Sequence, residues 1–266
     1  LVGVLADWLA PYGYNEIWVG TQLAPPSADF WLGTDNVGRD VLSRIIYGAR
    51  VSMFVGLGVS ALSTAINAII GLVSGFVGGK TDLIIQRFVD AWMCFPALFL
   101  ILTIMAVVGS GVLQVIIVLG VLYGIGGSRT IRSAVMAIKE NVYVEAARAV
   151  GCPTWRILLR HILPNVMAPL IIIFSLVMGA AIIAEATISF LGYGIPPPIP
   201  SWGGMLSEAG RRYMLMAPWL ALWPGLALAI VVYGINMLGD AFRDLLDPRL
   251  RGGLGRYGVK KKMPKA

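Results

Sequence analysis

Apolar positions fall into five blocks, roughly 51–75, 89–109, 112–128, 165–191 and 218–240, separated by polar stretches. A helix of about 20 apolar residues crosses a bilayer core. The third block is short for a crossing unless its Gly-rich end, Gly124 to Gly127, belongs to it. The first residues, Leu1-Val2-Gly3-Val4-Leu5, read as the tail of a further span, so an intact protein is expected to have six. Composition agrees with lipid as the solvent: 58% of residues are hydrophobic and 13% charged, where a soluble domain carries roughly 25% charged residues. The pattern therefore predicts an all-α integral membrane protein with five complete spans here.

Between Arg39 and Ser52 the apolar residues Val41, Leu42, Ile45 and Ile46 recur at helical spacing. They predict an amphipathic helix leading into the first complete span. Within that span Gly71, Gly75 and Gly79 repeat every four residues, a spacing that lets helix backbones approach closely. The expected organisation is an N-terminal part over 1–50 (the end of a span plus an extracytoplasmic loop), a core over 51–240 and a basic tail over 241–266.

Charge sets the orientation. Six basic residues lie between the third and fourth blocks, eight in the C-terminal tail and two, Lys80 and Arg87, between the first and second. Together they are sixteen of the 21 Lys and Arg. An even number of crossings separates these places, so they share a side, which the positive-inside rule makes cytoplasmic. A basic tail beside anionic lipid needs no nucleic acid to explain it.

The central loop, 139–164, is the most informative stretch. Asn141 to Val150 reads as a helix, Gly151 as the residue whose positive φ ends it, and Pro153 as part of the next helix's first turn. There Trp155, Leu158, Leu159 and Ile162 form one apolar stripe with Arg156 and Arg160 off it. Leu163 precedes Pro164, where that helix is expected to stop.

Glu145-Ala146-Ala147, then Gly151 and Leu163-Pro164, resemble the loop by which ABC-importer membrane subunits engage their ATPases. The family pattern has Ile two residues before the Leu; here His161 stands there, with Ile162 beside it. His161-Ile162-Leu163-Pro164-Asn165 resembles the dipeptide/oligopeptide/nickel branch. So do Leu32-Gly33-Thr34-Asp35 with Gly38-Arg39-Asp40, Ala184-Glu185-Ala186 with Ser189-Phe190-Leu191-Gly192, and Pro200-Ser201-Trp202-Gly203. Leu238-Gly239-Asp240 with Arg243-Asp244 and Leu246-Asp247-Pro248-Arg249 completes the set.

The resemblance implies a type I importer permease. Its partners would be a second homologous permease, two ATP-binding cassette ATPase subunits and an extracytoplasmic solute-binding protein. ATP and Mg would sit on the ATPases, with no cofactor, metal or catalytic residue in this chain. Gly79-Lys80-Thr81 does not make a phosphate loop, because Ser74 stands where a glycine is required. Small peptides are the expected substrate; nickel chelates, opines and oligosaccharides are the alternatives.

The coupling surface is assigned to Glu145, Ala146, Ala147, Arg148, Gly151, Arg156, Leu163 and Pro164, and Gly151→Asp is expected to abolish transport. Glu185, Asn67 and Asn236 are candidates for the translocation pathway, an ionisable group inside a span usually facing a cavity or a partner. The two asparagines are also candidates for bonds between helices, and Asp240 with Arg243 for an ion pair at a helix end. Asp35, Arg39 and Asp40 either contact the binding protein or form a turn capping the next helix. His161, the only histidine, is expected to face solvent, and Cys94 and Cys152 fit no metal or redox spacing. An intramembrane hydrolase would need a Ser–His pair within the spans. An ATPase-independent secondary transporter would need several intramembrane acids and paired repeats; one intramembrane acid is present.

Overall fold

Asp40 sets the start of the longest helix. Its carboxylate accepts from the Ser43 backbone N–H at 2.7 Å and from the Ser43 hydroxyl at 2.6 Å. That satisfies a donor the first helical turn leaves unpaired. From there α2 runs over Val41–Val77 with no proline to interrupt it. The expected amphipathic helix and first span are thus one helix, and residue 50 lies inside it.

The computed structural model describes residues 2–17 and 22–246, the side chains of 208 and 209 excepted. A short α1 (Ala6–Leu9) precedes α2. Then come α3 (Gly79–Met93), α4 (Ala97–Val108), α5 (Val112–Lys139), α6 (Val142–Ala149) and α7 (Thr154–Ile157). A π turn (Leu158–Ile162) and a 3-10 turn (Leu163–Val166) lead into α8 (Met167–Phe190). They are followed by α9 (Trp202–Met205), a second π turn (Leu206–Gly210), α10 (Arg211–Tyr213) and α11 (Trp219–Leu246). Among the described residues the only extended pairing is an isolated bridge between Thr34 and Asp40.

Four helical runs are long and apolar enough to cross a membrane: α2, α5, the continuous run 154–190 and α11. The second apolar block does not form a straight span. It is split between α3 and α4, which meet at 87° across a three-residue break. Pro96 explains the break, because it lacks an N–H and disfavours helix in the residue before it. The third block is not short either, since α5 continues through Arg129 and Arg132 to Lys139.

α2 and α5 pack along a seam of glycines. A Cβ on Gly71 would lie 2.7 Å from the Ile131 side chain, and one on Gly124 would lie 2.6 Å from the Ile66 side chain. Gly79, the third member of the predicted repeat, has open space around it and a φ of +56°. It shapes the α2–α3 corner rather than a helix contact. Val55 and Val59 of α2, Ile101 and Met105 of α4, Leu119 of α5 and Ile188 of α8 form the main apolar core.

The bundle has two distinct ends. At one, the C-terminal end of α2 and the start of α3 meet the end of α5, α6, α7 and the start of α8. At the other, the start of α2 meets α9 and the start of α11. There the Trp202 Nε1–H donates to the Ile45 carbonyl at 3.1 Å and the Trp219 Nε1–H to the Thr34 carbonyl at 3.2 Å. This is the grouping of loops that charge and parity predict. The basic tail beyond Leu246 lies outside the described residues.

Gly203 makes a close contact with backbone at that second end. A Cβ there would come within 2.4 Å of the Ala186 carbonyl oxygen and 2.5 Å of its Cα. Both are backbone atoms of α8, so neither can swing aside. Gly203→Ala is expected to lower the thermal midpoint of the protein in detergent clearly. Gly204→Ala, where the nearest atom is the Ser201 hydroxyl at 3.1 Å, should change it little.

Candidate functional site

The central loop folds as a corner. α6 ends where Gly151 takes a φ of +77°. The Gly151 N–H donates to the Arg148 carbonyl at 2.9 Å and the Cys152 N–H to the Ala147 carbonyl at 3.0 Å. These bonds satisfy carbonyls that the helix end leaves open. Pro153, one position earlier than predicted, flanks α7 in an extended conformation.

Pro164 does not end the helix that follows. The π turn and the 3-10 turn shift the hydrogen-bond register around it, the Leu163 N–H reaching back to the Leu158 carbonyl, and the chain continues into α8. Such changes of register are a known way for a helix to accommodate an irregularity.

The inward face also differs from the predicted stripe. Ile157 and Ile162 are buried, Leu158 is half-buried, and Trp155 and Leu159 are exposed. The stripe assumed 3.6 residues per turn throughout, and the wider π turn changes the phase.

Val144, Ile157, Ile162 and Val166 pack against Phe76 of α2, Ile131 and Val135 of α5, and Leu170 of α8. The corner is therefore seated on three spanning helices at once. The Arg148 guanidinium lies 4.9 Å from the Phe76 ring centroid, within cation–π range. Glu145, Ala146, Arg148, Gly151, Arg156 and Pro164 are exposed, while Ala147 and Leu163 are half-buried. Of the assigned surface's small residues, Ala146 and Gly151 face outward and Ala147 is partly covered. His161 is half-buried beside the Tyr143 ring rather than fully in solvent.

A polar clasp at this end has no counterpart in the sequence reading. The Arg132 Nε–H donates to Asp82 Oδ1 at 2.6 Å. Asp82 also accepts from the Ser74 hydroxyl, which in turn accepts from the Gln86 amide at 2.9 Å. Arg129 pairs with Asp90, and the Lys139 ammonium donates to the Gly75 carbonyl at 3.1 Å. Three of the six central-loop cations thus bond to oxygen atoms elsewhere in the chain. The available signal was Asp82 and Asp90 on α3, an amphipathic helix that also carries Lys80, Gln86 and Arg87.

Asp35, Arg39 and Asp40 are buried. Asp35 accepts from the Val37 and Arg39 N–H groups and, at 2.7 Å, from the Arg39 Nε–H. Their polar groups form the turn that starts α2.

The three pathway candidates occupy separate places. Glu185 is fully buried about 8 Å from the end of α8. Its Oε1 accepts from the Ser189 hydroxyl at 2.7 Å, and its Oε2 has no hydrogen-bond partner among the described residues. Asn236 is exposed on α11, where a Cβ on Gly179 would lie 2.5 Å from its Oδ1. Asn67 is fully buried on α2, neither amide atom having a partner among the described residues. Among the described residues the predicted interhelical asparagine bonds do not form: Asn67 contributes to a cavity wall, and Asn236 packs against Gly179. Asp240 and Arg243 are both exposed and form no ion pair, solvent leaving little to gain from one. Both cysteines are free thiols.

Helices long and apolar enough to cross a membrane, with a shaped, partly basic corner mounted across their ends, define a helical membrane protein. The chain belongs to the family described as "Binding-protein-dependent transport system inner membrane component", which matches residues 67–252. It is an inner-membrane permease of an ABC importer. A Brucella suis biovar 1 (strain 1330) protein, provisionally named a peptide transport system permease protein, is 43% identical over 251 residues (94% of this chain, 84% of the relative). The dipeptide transport system permease protein DppC of Alkalihalophilus pseudofirmus is 38% identical over 251 residues (94% and 82%). The glutathione transport system permease protein GsiD of Pectobacterium atrosepticum is 38% identical over 247 residues (92% and 82%). The MetNI methionine ABC transporter, solved in inward-facing conformations, aligns with a TM-score of 0.58 at 16% identity, over 77% of this chain and 96% of that one. The fold is that of a type I permease.

Proposed function

We propose that this chain carries small peptides across the cytoplasmic membrane by alternating access, powered by two partner ATPase subunits that hold ATP and Mg. A second homologous permease completes the pathway and an extracytoplasmic binding protein delivers the solute. One observation carries the coupling role: the Glu145–Pro164 corner rests on buried side chains from α2, α5 and α8 together. A push on the corner reaches three spans without passing through a flexible segment. The basic residues at that end support a cytoplasmic position for it. The names of the relatives support peptides as the substrate class.

The test is ATP hydrolysis by the reconstituted complex with its binding protein, with and without di- and oligopeptides. Peptides are expected to stimulate hydrolysis several-fold. Stimulation by nickel chelates, opines or sugars in their place would keep the permease and change its substrate. Transport by the chain with no ATPase present would sink the assignment.

A further inference from the structure

Beside the break between α3 and α4 lies a cavity of about 350 Å³, within the size range of ligand pockets. Asn67, Trp92, Phe95, Tyr123, Gly127 and Val177 contribute to its wall. Asn67 lies about 15 Å along α2 from the Val77 end, within a helix long and apolar enough to cross a membrane.

The polar atoms here are what need explaining. The Asn67 Oδ1 and Nδ2 and the Trp92 Nε1 are all buried, and none has a hydrogen-bond partner among the described residues. Unpaired groups of this kind are few in native proteins. Here three of them belong to two residues in the wall of one space whose lining contains no charged side chain. A lipid tail would leave all three unpaired.

We propose that this cavity is an intramembrane station for the peptide backbone. The Asn67 amide offers one acceptor and two donors, the complement of a peptide N–H and C=O, and the Trp92 Nε1–H adds a further donor. Trp92, Phe95 and Tyr123 supply apolar walls. With no charge in the lining, the station reads what all peptides share and ignores what distinguishes their side chains. The inference rests on the peptide-importer reading and adds a location and a recognition chemistry to it.

The test uses the complete reconstituted complex at saturating substrate. Uptake of trialanine is compared with uptake of its analogue methylated on the peptide nitrogens, in the native protein and in Asn67→Leu. Discrimination by the binding protein is common to both proteins, so the change in the uptake ratio isolates the permease. Losing one neutral hydrogen bond corresponds to about a tenfold change. Asn67→Leu is therefore expected to slow trialanine about tenfold and to slow the analogue much less. Should Asn67→Leu fail to assemble, Trp92→Phe, which keeps a ring and removes the donor, decides the matter on the same ratio. An unchanged ratio with peptide uptake intact overturns the station and leaves the peptide importer standing. No uptake of either peptide by the native complex overturns both.

Discussion

Gly151→Val is expected to abolish substrate-stimulated ATP hydrolysis while leaving normal amounts of protein in the membrane, and Gly151→Asn to retain most of it. Gly151 has a φ of +77° and nothing within 4 Å of where a Cβ would stand. No clash explains a defect there; the backbone conformation alone does. An L-residue in the left-handed region costs about 1–2 kcal/mol. The cost is greatest for β-branched side chains and least for Asn and Asp. Valine is relieved only if φ turns negative, which breaks the bond from the Cys152 N–H to the Ala147 carbonyl and re-aims α6 against α7. Val144 is the one fully buried side chain holding α6 down, so the helix moves as a lever about 12 Å long. A tilt of about 20° displaces its far end by about 4 Å, enough to lose a shaped docking contact. Gly151→Asp shares asparagine's backbone tolerance, so the loss expected of it reports the added negative charge on the surface. ATP hydrolysis by the purified complex, with and without substrate, distinguishes the three variants. Full coupling in Gly151→Val would remove the corner from the mechanism.

The corner was legible because glycine and proline carry local rules. Gly151 closes a helix and Pro153 precedes another, and both signals survive without knowledge of the tertiary fold. The face of the second helix was not legible. Trp155 and Leu159 belong to a stripe only at a constant 3.6-residue period, and the π turn over Leu158–Ile162 breaks that constancy. Ile157, which the stripe leaves out, is one of the buried residues that seat the corner. Pro164 misled for a related reason: a change of register costs less than ending a helix that three other helices hold in place.

The membrane frame was legible from hydropathy because lipid imposes it on every span. The bend at Pro96 was not, since residues 89–109 are as apolar as a straight crossing and hydropathy is blind to direction. Polar pairing was the least legible part. Arg129 and Arg132 read as orientation signals, yet each has an acidic partner on α3 at least 39 residues away in sequence. Asp35, Arg39 and Asp40 read equally as a binding surface or a turn, and only their burial separates the two.

The second large effect is expected at Asp82. Asp82→Ala should destabilise the central-loop end by about 1–3 kcal/mol. Breaking a fully buried pair costs about 3–5 kcal/mol. The Asp82 and Arg132 side chains retain 16% and 26% of their exposure, so solvent offsets part of the loss. The substitution leaves the Arg132 guanidinium without its carboxylate and frees the Ser74 hydroxyl that Asp82 now holds. Because Ser74 and Arg132 lie on α2 and α5, the clasp ties α3 to the two helices on which the corner rests. Its loss should also weaken coupling between substrate and ATP hydrolysis. The measurement is thermal unfolding in detergent, combined with a double-mutant cycle. Asp82→Arg with Arg132→Asp should recover part of the stability that either single change removes. If the single changes leave the unfolding midpoint unaltered, the clasp is not what fixes α3 across the end of the bundle. The apolar contacts of α3 with α2 and α5 would then have to hold it there unaided.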